Sequence, residues 1–517
     1  MKILDEFNIS QFKNFKFKLL KYYSESKNFM FLDSNNLKDK YDWIFAIDCE
    51  DKIISNSKNS LFQLNKFYKK NHSNWIFGSL SYDLKNHIEI LSSSNYDGIN
   101  FPLLNFFVPK FLFICQDNIV KYLSHSENQR FSIEKILNLD FNFKEISSLN
   151  LKFRISKNNY FKNVSKIIQH INLGDIYEMN YCQEIYAENS VINPYDTYLK
   201  LVSISKAPFS SLYRHNNSYL ISASPERFIR KINNKLFSQP IKGTIRRSKN
   251  KEEDNFLKMK LFKDDKERSE NVMIVDLVRN DLSKIARRSS VNVDELFGIY
   301  SFNDLHHMIS TISCDLKKNI NIDEIISSTF PMGSMTGAPK YRAMELIEKY
   351  EKTKRGLYSG SIGYIEPNGD FDFNVIIRSI QYNQINKYLS ILVGGAITSK
   401  SKIENEFDEC FLKSKSLLKV LNFHHDAEEQ MIFPELERQN IDALSQIVQR
   451  LRQEHLVVHE LLKRLGAAAD KLIKDTSISN FDVITEIFEQ LHKAVKSHFG
   501  YEETELREAL GKFAPVI

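Results

Sequence analysis

Residues 222–247 read SASPERFIRKINNKLFSQPIKGTIRR. A strand ending at Ser224, Pro225 and Glu226 is followed by a second ending at Pro240, Ile241, Lys242, Gly243 and Thr244, as the two edges of a hairpin are. Such a hairpin turns Glu226 and Lys242 toward one pocket. An amine kept from water loses part of its preference for the proton and becomes a nucleophile near neutral pH. In an open turn the same two residues are only a solvated ion pair.

Downstream, KERSENVMIVDLVRNDLSKIA places Glu267 and Glu270 three residues apart on one helix face. ENEFDECFLK repeats the spacing with Glu406 and Glu409, and Lys413 follows one turn on. Two carboxylate pairs offer the hard oxygen ligands that Mg2+ takes, with positions left over for a substrate's oxygens, whereas unpartnered charged helix faces are solvated surface. Between the pairs, FPMGSMTGAPKYRAMELIEKYE reads as a glycine turn entering a helix with Pro339 in its first turn, and free N–H groups at such a start attract carboxylates or phosphates. Because no Gly-Lys-Ser or Gly-Lys-Thr follows the glycines, this is not a nucleotide-binding phosphate loop.

Around these motifs, strand-like runs (WIFAI, FLFIC, YLISAS, FDFNVIIRSIQYN, KYLSILVGGAIT) alternate with amphipathic stretches such as YFKNVSKIIQHINLG. Residues 1–421 are expected to form an α+β body, with 1–150 as scaffold and the chemistry-bearing motifs in 151–421. Composition changes near residue 423: 44 of 46 asparagines precede it, whereas six of 13 histidines follow it. Formal charge also changes, from +12 over residues 1–423 to −6 over 424–517. Helical periodicity alone continues, through about 424–438, 441–468 and 480–511 with a break at 466–469, so 422–517 reads as a separate all-α helical-bundle segment.

The 517 residues are too many for one ordinary core, and at 42% hydrophobic they are too apolar for a disordered chain. Five scattered cysteines with no CxxC pair argue against a disulfide scaffold or cysteine-held zinc and for a reducing, cytoplasmic setting. No run of about 18 apolar residues spans a membrane, and the start has no secretory pattern. The lysines are spread evenly, without a basic stripe or an RNP-type motif, which argues against nucleic acid as a partner.

In order and wording the motifs resemble those of the chorismate-utilising enzymes: SPE, PIKGT, DLVRNDL, GAPKYRAMELI, YSGSIGY, FNVIIRS and ENEFDE followed by Lys413. The resemblance covers residues 1–421 and implies a chorismate-binding fold in which two antiparallel β-sheets enclose the active site, with helices outside. It implies roles as well. Glu226 resembles the general acid that assists loss of the C4 hydroxyl of chorismate, and His307 the imidazole beside the ring. Glu270 and Glu409 resemble the principal magnesium ligands, with Glu267 and Glu406 close by. Lys413 resembles the residue that balances the ring carboxylate and Arg378 the one that grips the enolpyruvyl carboxylate, while Thr244, Ser334, Gly394, Gly395 and Ala396 complete the substrate pocket.

Where anthranilate synthases carry PIAGT this chain has PIKGT, which resembles the aminodeoxychorismate synthases, component I. The resemblance makes Lys242 the nucleophile that attacks C2 as the C4 hydroxyl leaves. Ammonia then attacks C4 and expels the lysine, giving 4-amino-4-deoxychorismate on the route to 4-aminobenzoate and folate. Since the chain lacks the GxCxG motif of a glutamine amidotransferase, nitrogen is expected as free ammonia or from a separate glutaminase subunit. Glu178, in GDIYEMN, stands where many relatives carry glutamine and isochorismate synthases a water-activating lysine. FLDS at residues 31–34 resembles a segment that binds tryptophan in some relatives and reads equally as a strand end and turn.

In the tail, HHDAEEQMIFPEL, EHLVVHELL and HFGYEETEL resemble the hemerythrin-like domains, four-helix bundles that bind two irons through histidine and carboxylate. The resemblance implies an iron site drawn from His425 and Glu429, or the frame-shifted His424 and Glu428, and from His455 and His459, each pair at i, i+4 on one helix face, with His498 and Glu502 or Glu503 from a third helix. That family's first helix has no counterpart, because residues before 424 belong to the last helix of the body. Two other functions stay open at this level: anthranilate synthase component I and, in a different class, an iron-binding oxygen or redox sensor with a degenerate enzyme body.

Overall fold

The computed structural model describes residues 1–37, 39–127, 131–140, 149–248, 250–302, 305–421, 442–474 and 478–501. The chain divides into two compact units, Met1–Leu421 and Asn422–Ile517. Described residues of the first mix helices with antiparallel strands, and those of the second are helical.

A bent β-ribbon organises the first unit. Trp43–Ser55 and Leu104–Gln116 pair antiparallel along their length, with a register shift between Cys49 and Asp51. A bulge of this kind kinks a ribbon and lets its two ends serve different sheets. At one end, residues 43–47 pair with Asn28–Asp33, and the ladder continues through Phe209–His215, Ser218–Ser224, Ser379–Asn383 and Tyr388–Ile397 to Glu178–Ala187. At the other, residues 104–107 pair with Ile76–Leu80, and the ladder continues through Ser361–Ile365, Phe371–Val375, Arg227–Ile232 and Lys235–Gln239 to Leu305–Asp315, beside which lie Ile241–Arg246 and Asn292–Ser301. The two antiparallel sheets are thus one ladder of 20 strands among the described residues, folded back at the ribbon.

Apolar side chains hold the layers together. Met30, Tyr213 and Leu220 from one sheet meet Phe77, Phe107 and Ile362 from the other in a single cluster. Met30, Phe77, Leu220 and Ile362 are all 0% exposed, and each such burial contributes about 1.5–3 kcal/mol relative to exposure.

Helices cover the outer faces and deliver the glutamates. Helix Asp265–Ser283 is capped by Asp264, whose carboxylate accepts the N–H groups of Lys266 and Glu267, and it buries Ile274, Val275, Val278 and Leu282. Helix Ile403–Val420 buries Phe407, Cys410, Leu417 and Leu418, with Tyr160 of helix Lys157–Asn172 edge-on to Phe407. Both glutamate pairs therefore sit in the first two turns of their helices, where the positive end of the helix dipole favours carboxylates.

Two expectations are revised. FDFNVIIRSIQYN is not one strand: Phe371–Val375 lies in one sheet and Ser379–Asn383 in the other, with Arg378 at φ 51° in the crossing. Nearly every residue of the run is buried, so its pattern carries no sign of the break. In the tail, helix Asp442–Lys474 continues through Gly466. Leu461 and Ala468 pack against Ile487 of helix Ile478–Tyr501, which offsets the roughly 1 kcal/mol that a mid-helix glycine costs. The helix expected over 424–438 lies outside the described residues. No described helix is long and apolar enough to cross a membrane.

Candidate active site

The hairpin of residues 222–247 is formed by Arg227–Ile232 and Lys235–Gln239, so Glu226 precedes it and Lys242 follows it at the same open end. Ser334 Oγ donates to Glu226 Oε1 at 2.6 Å. Burial pushes the Glu226 pKa up to about 7, against the opposing pull of the Ser334 hydrogen bond and the Lys242 charge. A carboxyl that keeps its proton near neutrality is suited to general acid catalysis.

Lys242 Nζ donates to Glu178 Oε1 at 2.7 Å, joining the strand Ile241–Arg246 of one sheet to Glu178–Ala187 of the other. This overturns the expectation of a neutral amine. Burial by itself lowers the Lys242 pKa, but the charge and hydrogen bond of Glu178, with the charge of Glu270 next, outweigh it and raise the pKa above the ordinary lysine value. The resting amine is an ammonium. Glu178 Oε2 is buried and has no donor among the described residues.

The four other glutamates lie around the mouth of this pair. Lys266 Nζ stands 3.8 Å from Glu270 Oε1 and 4.0 Å from Glu406 Oε1. Lys413 Nζ lies 2.5 Å from Glu409 Oε1 and donates to Gly394 O at 3.0 Å. A Cβ on Gly395 would approach Glu406 Oε2 to 3.4 Å and Glu409 Oε1 to 3.6 Å, and one on Gly243 would come within 3.3 Å of Glu267 Cβ. Burial raises the pKa of Glu267, of Glu406 and, to about 7, of Glu270. Lys413 instead holds Glu409 below its ordinary value. Sequence reasoning missed Lys266, although its i, i+4 spacing to Glu270 was a usable signal.

Glu270 Oε1 and Glu406 Oε2 are buried without a donor among the described residues. Unsatisfied carboxylate oxygens beside an exchangeable ammonium fit a hard divalent cation. Among the described residues no three His, Cys, Asp or Glu side chains are gathered as a metal-holding group, and the cations beside Glu270, Glu406 and Glu409 are Lys266 and Lys413.

His307 is buried, hydrogen-bonded through Nδ1 to Thr244 Oγ1 at 2.9 Å, with the Phe302 ring 5.3 Å away. Burial, and then the charges of Arg378 and His306, lower its pKa to about 3, so the imidazole is neutral. Arg378 donates from Nη1 to Lys413 O at 3.3 Å. Gly394, Gly395 and Ala396 pair in register with Cys182, Tyr181 and Asn180, beside the strand that carries Glu178. The structure therefore sets Ser334 on Glu226 and Glu178 on Lys242, with Lys242 and Glu226 near enough to shift one another's pKa, and gathers Lys413, Gly395 and the other carboxylates close by. Residues 32–34 line a cavity between the sheets with Trp43 and Tyr364.

For the expected iron site, His425, Glu429 and Glu502 lie outside the described residues. His459 and His498 lie on the two described tail helices, with side chains outside the description, while His455 is buried.

Residues 27–419 match the family described as chorismate binding enzyme, and residues 398–510 match the hemerythrin HHE cation binding domain. The two matches share residues 398–419, which hold most of helix Ile403–Val420. Aminodeoxychorismate synthase component 1 of Escherichia coli (strain K12) is 33% identical over 355 residues, 66% of this chain and 76% of that protein. The chloroplastic aminodeoxychorismate synthase of Arabidopsis thaliana is 39% identical over 279 residues, 53% of this chain but only 30% of that protein. Among solved structures, anthranilate synthase component I from Streptococcus pneumoniae TIGR4 aligns with a TM-score of 0.64 at 26% identity, covering 72% of this chain and 91% of that one. With the fold, the order of motifs and a match across residues 27–419 in agreement, the chain belongs to the chorismate binding enzyme family.

Proposed function

We propose that this chain acts as aminodeoxychorismate synthase component I, aminating chorismate at C4 to give 4-amino-4-deoxychorismate for 4-aminobenzoate and folate synthesis. The observation that carries the proposal is Lys242, an amine at the centre of the carboxylate cluster and in contact with an acceptor for its proton. Similarity to the aminodeoxychorismate synthases of E. coli and A. thaliana supports the same reading.

Lys242 gives one proton to Glu178, 2.7 Å away, and its freed electron pair forms the bond to C2. The ring double bonds shift toward C4, the C4–O bond breaks, and Glu226 supplies the proton with which the hydroxyl leaves as water. Ammonia, free or delivered by a separate glutamine amidotransferase subunit, then attacks C4; the double bonds shift back and Lys242 is released. Thr244 orients the neutral His307 beside the ring. Arg378 and Lys413 bind the two substrate carboxylates. Glu270 and Glu409, with Glu267 and Glu406 adjacent, would hold Mg2+, which when bound would supply positive charge for the ring carboxylate.

Incubating the purified chain with chorismate, Mg2+ and ammonium tests the proposal. A product that gains nitrogen and keeps the enolpyruvyl group supports it. Release of anthranilate and pyruvate assigns the chain to anthranilate synthase chemistry instead, the reading favoured by the S. pneumoniae structure.

A further inference from the structure

Arg355 lies outside the pocket, 1% exposed, and spends all its N–H groups on the interior. Nε donates to Glu351 Oε2 at 2.9 Å and Nη2 to Glu351 Oε1 at 2.6 Å. Nη1 donates to Met335 O at 2.7 Å and Ser359 Oγ at 3.2 Å, and Nη2 also to Asn180 O at 2.9 Å. The Tyr82 ring covers the guanidinium at 4.5 Å. Glu351 Oε1 in turn accepts the Cys182 N–H at 2.9 Å.

The ion pair with Glu351 would be complete without the two carbonyls, yet both belong to segments that bear reacting groups. Met335 follows Ser334, which donates to Glu226. Asn180 lies two residues along the strand from Glu178, which accepts from Lys242. Asn180 Nδ2 also donates to Ser334 O at 3.2 Å, so the two segments are tied directly as well. A guanidinium is a rigid planar fork, and its spacing sets the spacing of what it holds.

We propose that Arg355 is a positioning residue: by gripping the Met335 and Asn180 carbonyls on one guanidinium it sets the separation between Ser334, which orients Glu226, and Glu178, which orients Lys242. The inference rests on Glu226 and Lys242 acting as acid and nucleophile. Misplacing such a pair by about 1 Å costs on the order of 10²-fold in rate.

The test is a double-mutant cycle of Arg355→Lys and Ser334→Ala. Lysine keeps the charge beside Glu351 but cannot span both carbonyls. We expect folded Arg355→Lys to lose about tenfold in kcat with the chorismate KM almost unchanged, Ser334→Ala to lose about tenfold in kcat, and the double variant to lose about the same tenfold, because both changes act through Glu226. Independent losses that multiply to about 100-fold would overturn the proposal, as would an unchanged kcat for Arg355→Lys. If Arg355→Lys does not fold, the paired change Glu351→Gln with Arg355→Gln removes both charges without leaving one buried alone, and enters the same cycle. Turnover is followed as chorismate consumed, so a product other than the aminated one sinks the functional assignment while the cycle still decides the role of Arg355.

Discussion

Lys242 and Glu178 meet across the two sheets with Nζ and Oε1 2.7 Å apart, their side chains 10% and 1% exposed. So little water reaches the pair that the carboxylate governs the charge of the amine. Replacing Glu178 with glutamine removes the largest charge that raises the Lys242 pKa. At a given pH the neutral fraction of an amine grows as its pKa falls, so an amine-selective reagent should label Lys242 faster in this variant than in the unsubstituted chain. Loss of the proton acceptor also reduces the maximum rate by about 10²-fold. Labelling and turnover rates check the two effects, and labelling at an unchanged rate would show that Glu178 does not set this charge.

Lys242→Ala is expected to lower ammonia-dependent amination by about 10³-fold or more while Mg2+-dependent chorismate binding persists, since the carboxylate pairs are untouched. Product assay and a binding titration separate the two effects. An unchanged rate removes Lys242 from the chemistry.

Glu226, with its pKa raised from 4.5 to about 7, supplies its proton only below that pH, so activity should fall along an alkaline limb near 7. The same shift has a stability consequence. Between about 4.5 and 7 the folded state binds more protons than the unfolded one, so stability declines as pH rises through this window. Glu226→Gln should be nearly inactive and show a smaller drop in thermal midpoint from pH 5 to pH 8. Part of the drop remains, because Glu270 is raised in the same direction. An equal drop in the variant contradicts the assignment.

Glu270→Gln and Glu409→Gln should weaken the Mg2+ requirement and chorismate binding together. A ligand at 100 times its Kd stabilises the native state by about 2.7 kcal/mol, and most of that Mg2+-dependent gain in thermal midpoint should vanish in either variant. Retention of the wild-type metal response would assign the cation to other residues.

Removal of the residues after Leu421 is expected to leave chorismate turnover intact, since every residue assigned to that chemistry lies at or before Lys413 and the second unit begins at Asn422. Loss of catalysis in a folded truncated chain would show that the units depend on one another. A thermal midpoint raised by iron only in the full chain would show that the tail binds metal.

Local pattern was enough for much of this protein. The three-residue spacing within Glu267–Glu270 and Glu406–Glu409 places each pair on one helix face because helical periodicity is a property of neighbouring residues. For the same reason the strand runs, most helices and the α+β body were legible, and the ordered motifs named the family. The protonation state of Lys242 was not legible, because it depends on Glu178, 64 residues away in sequence and on the other sheet. Nor was the crossing inside FDFNVIIRSIQYN, where burial on both sides erases the alternation that marks a strand's end. Arg355 carries no motif at all: its importance lies in the Met335 and Asn180 carbonyls it grips, and only the folded chain brings them together. Periodicity records which side of an element is covered. What covers it, at what distance and with what charge, is decided by long-range pairing in a medium of low dielectric, where neighbouring carboxylates, Glu178 first, reverse the effect of burial on an amine.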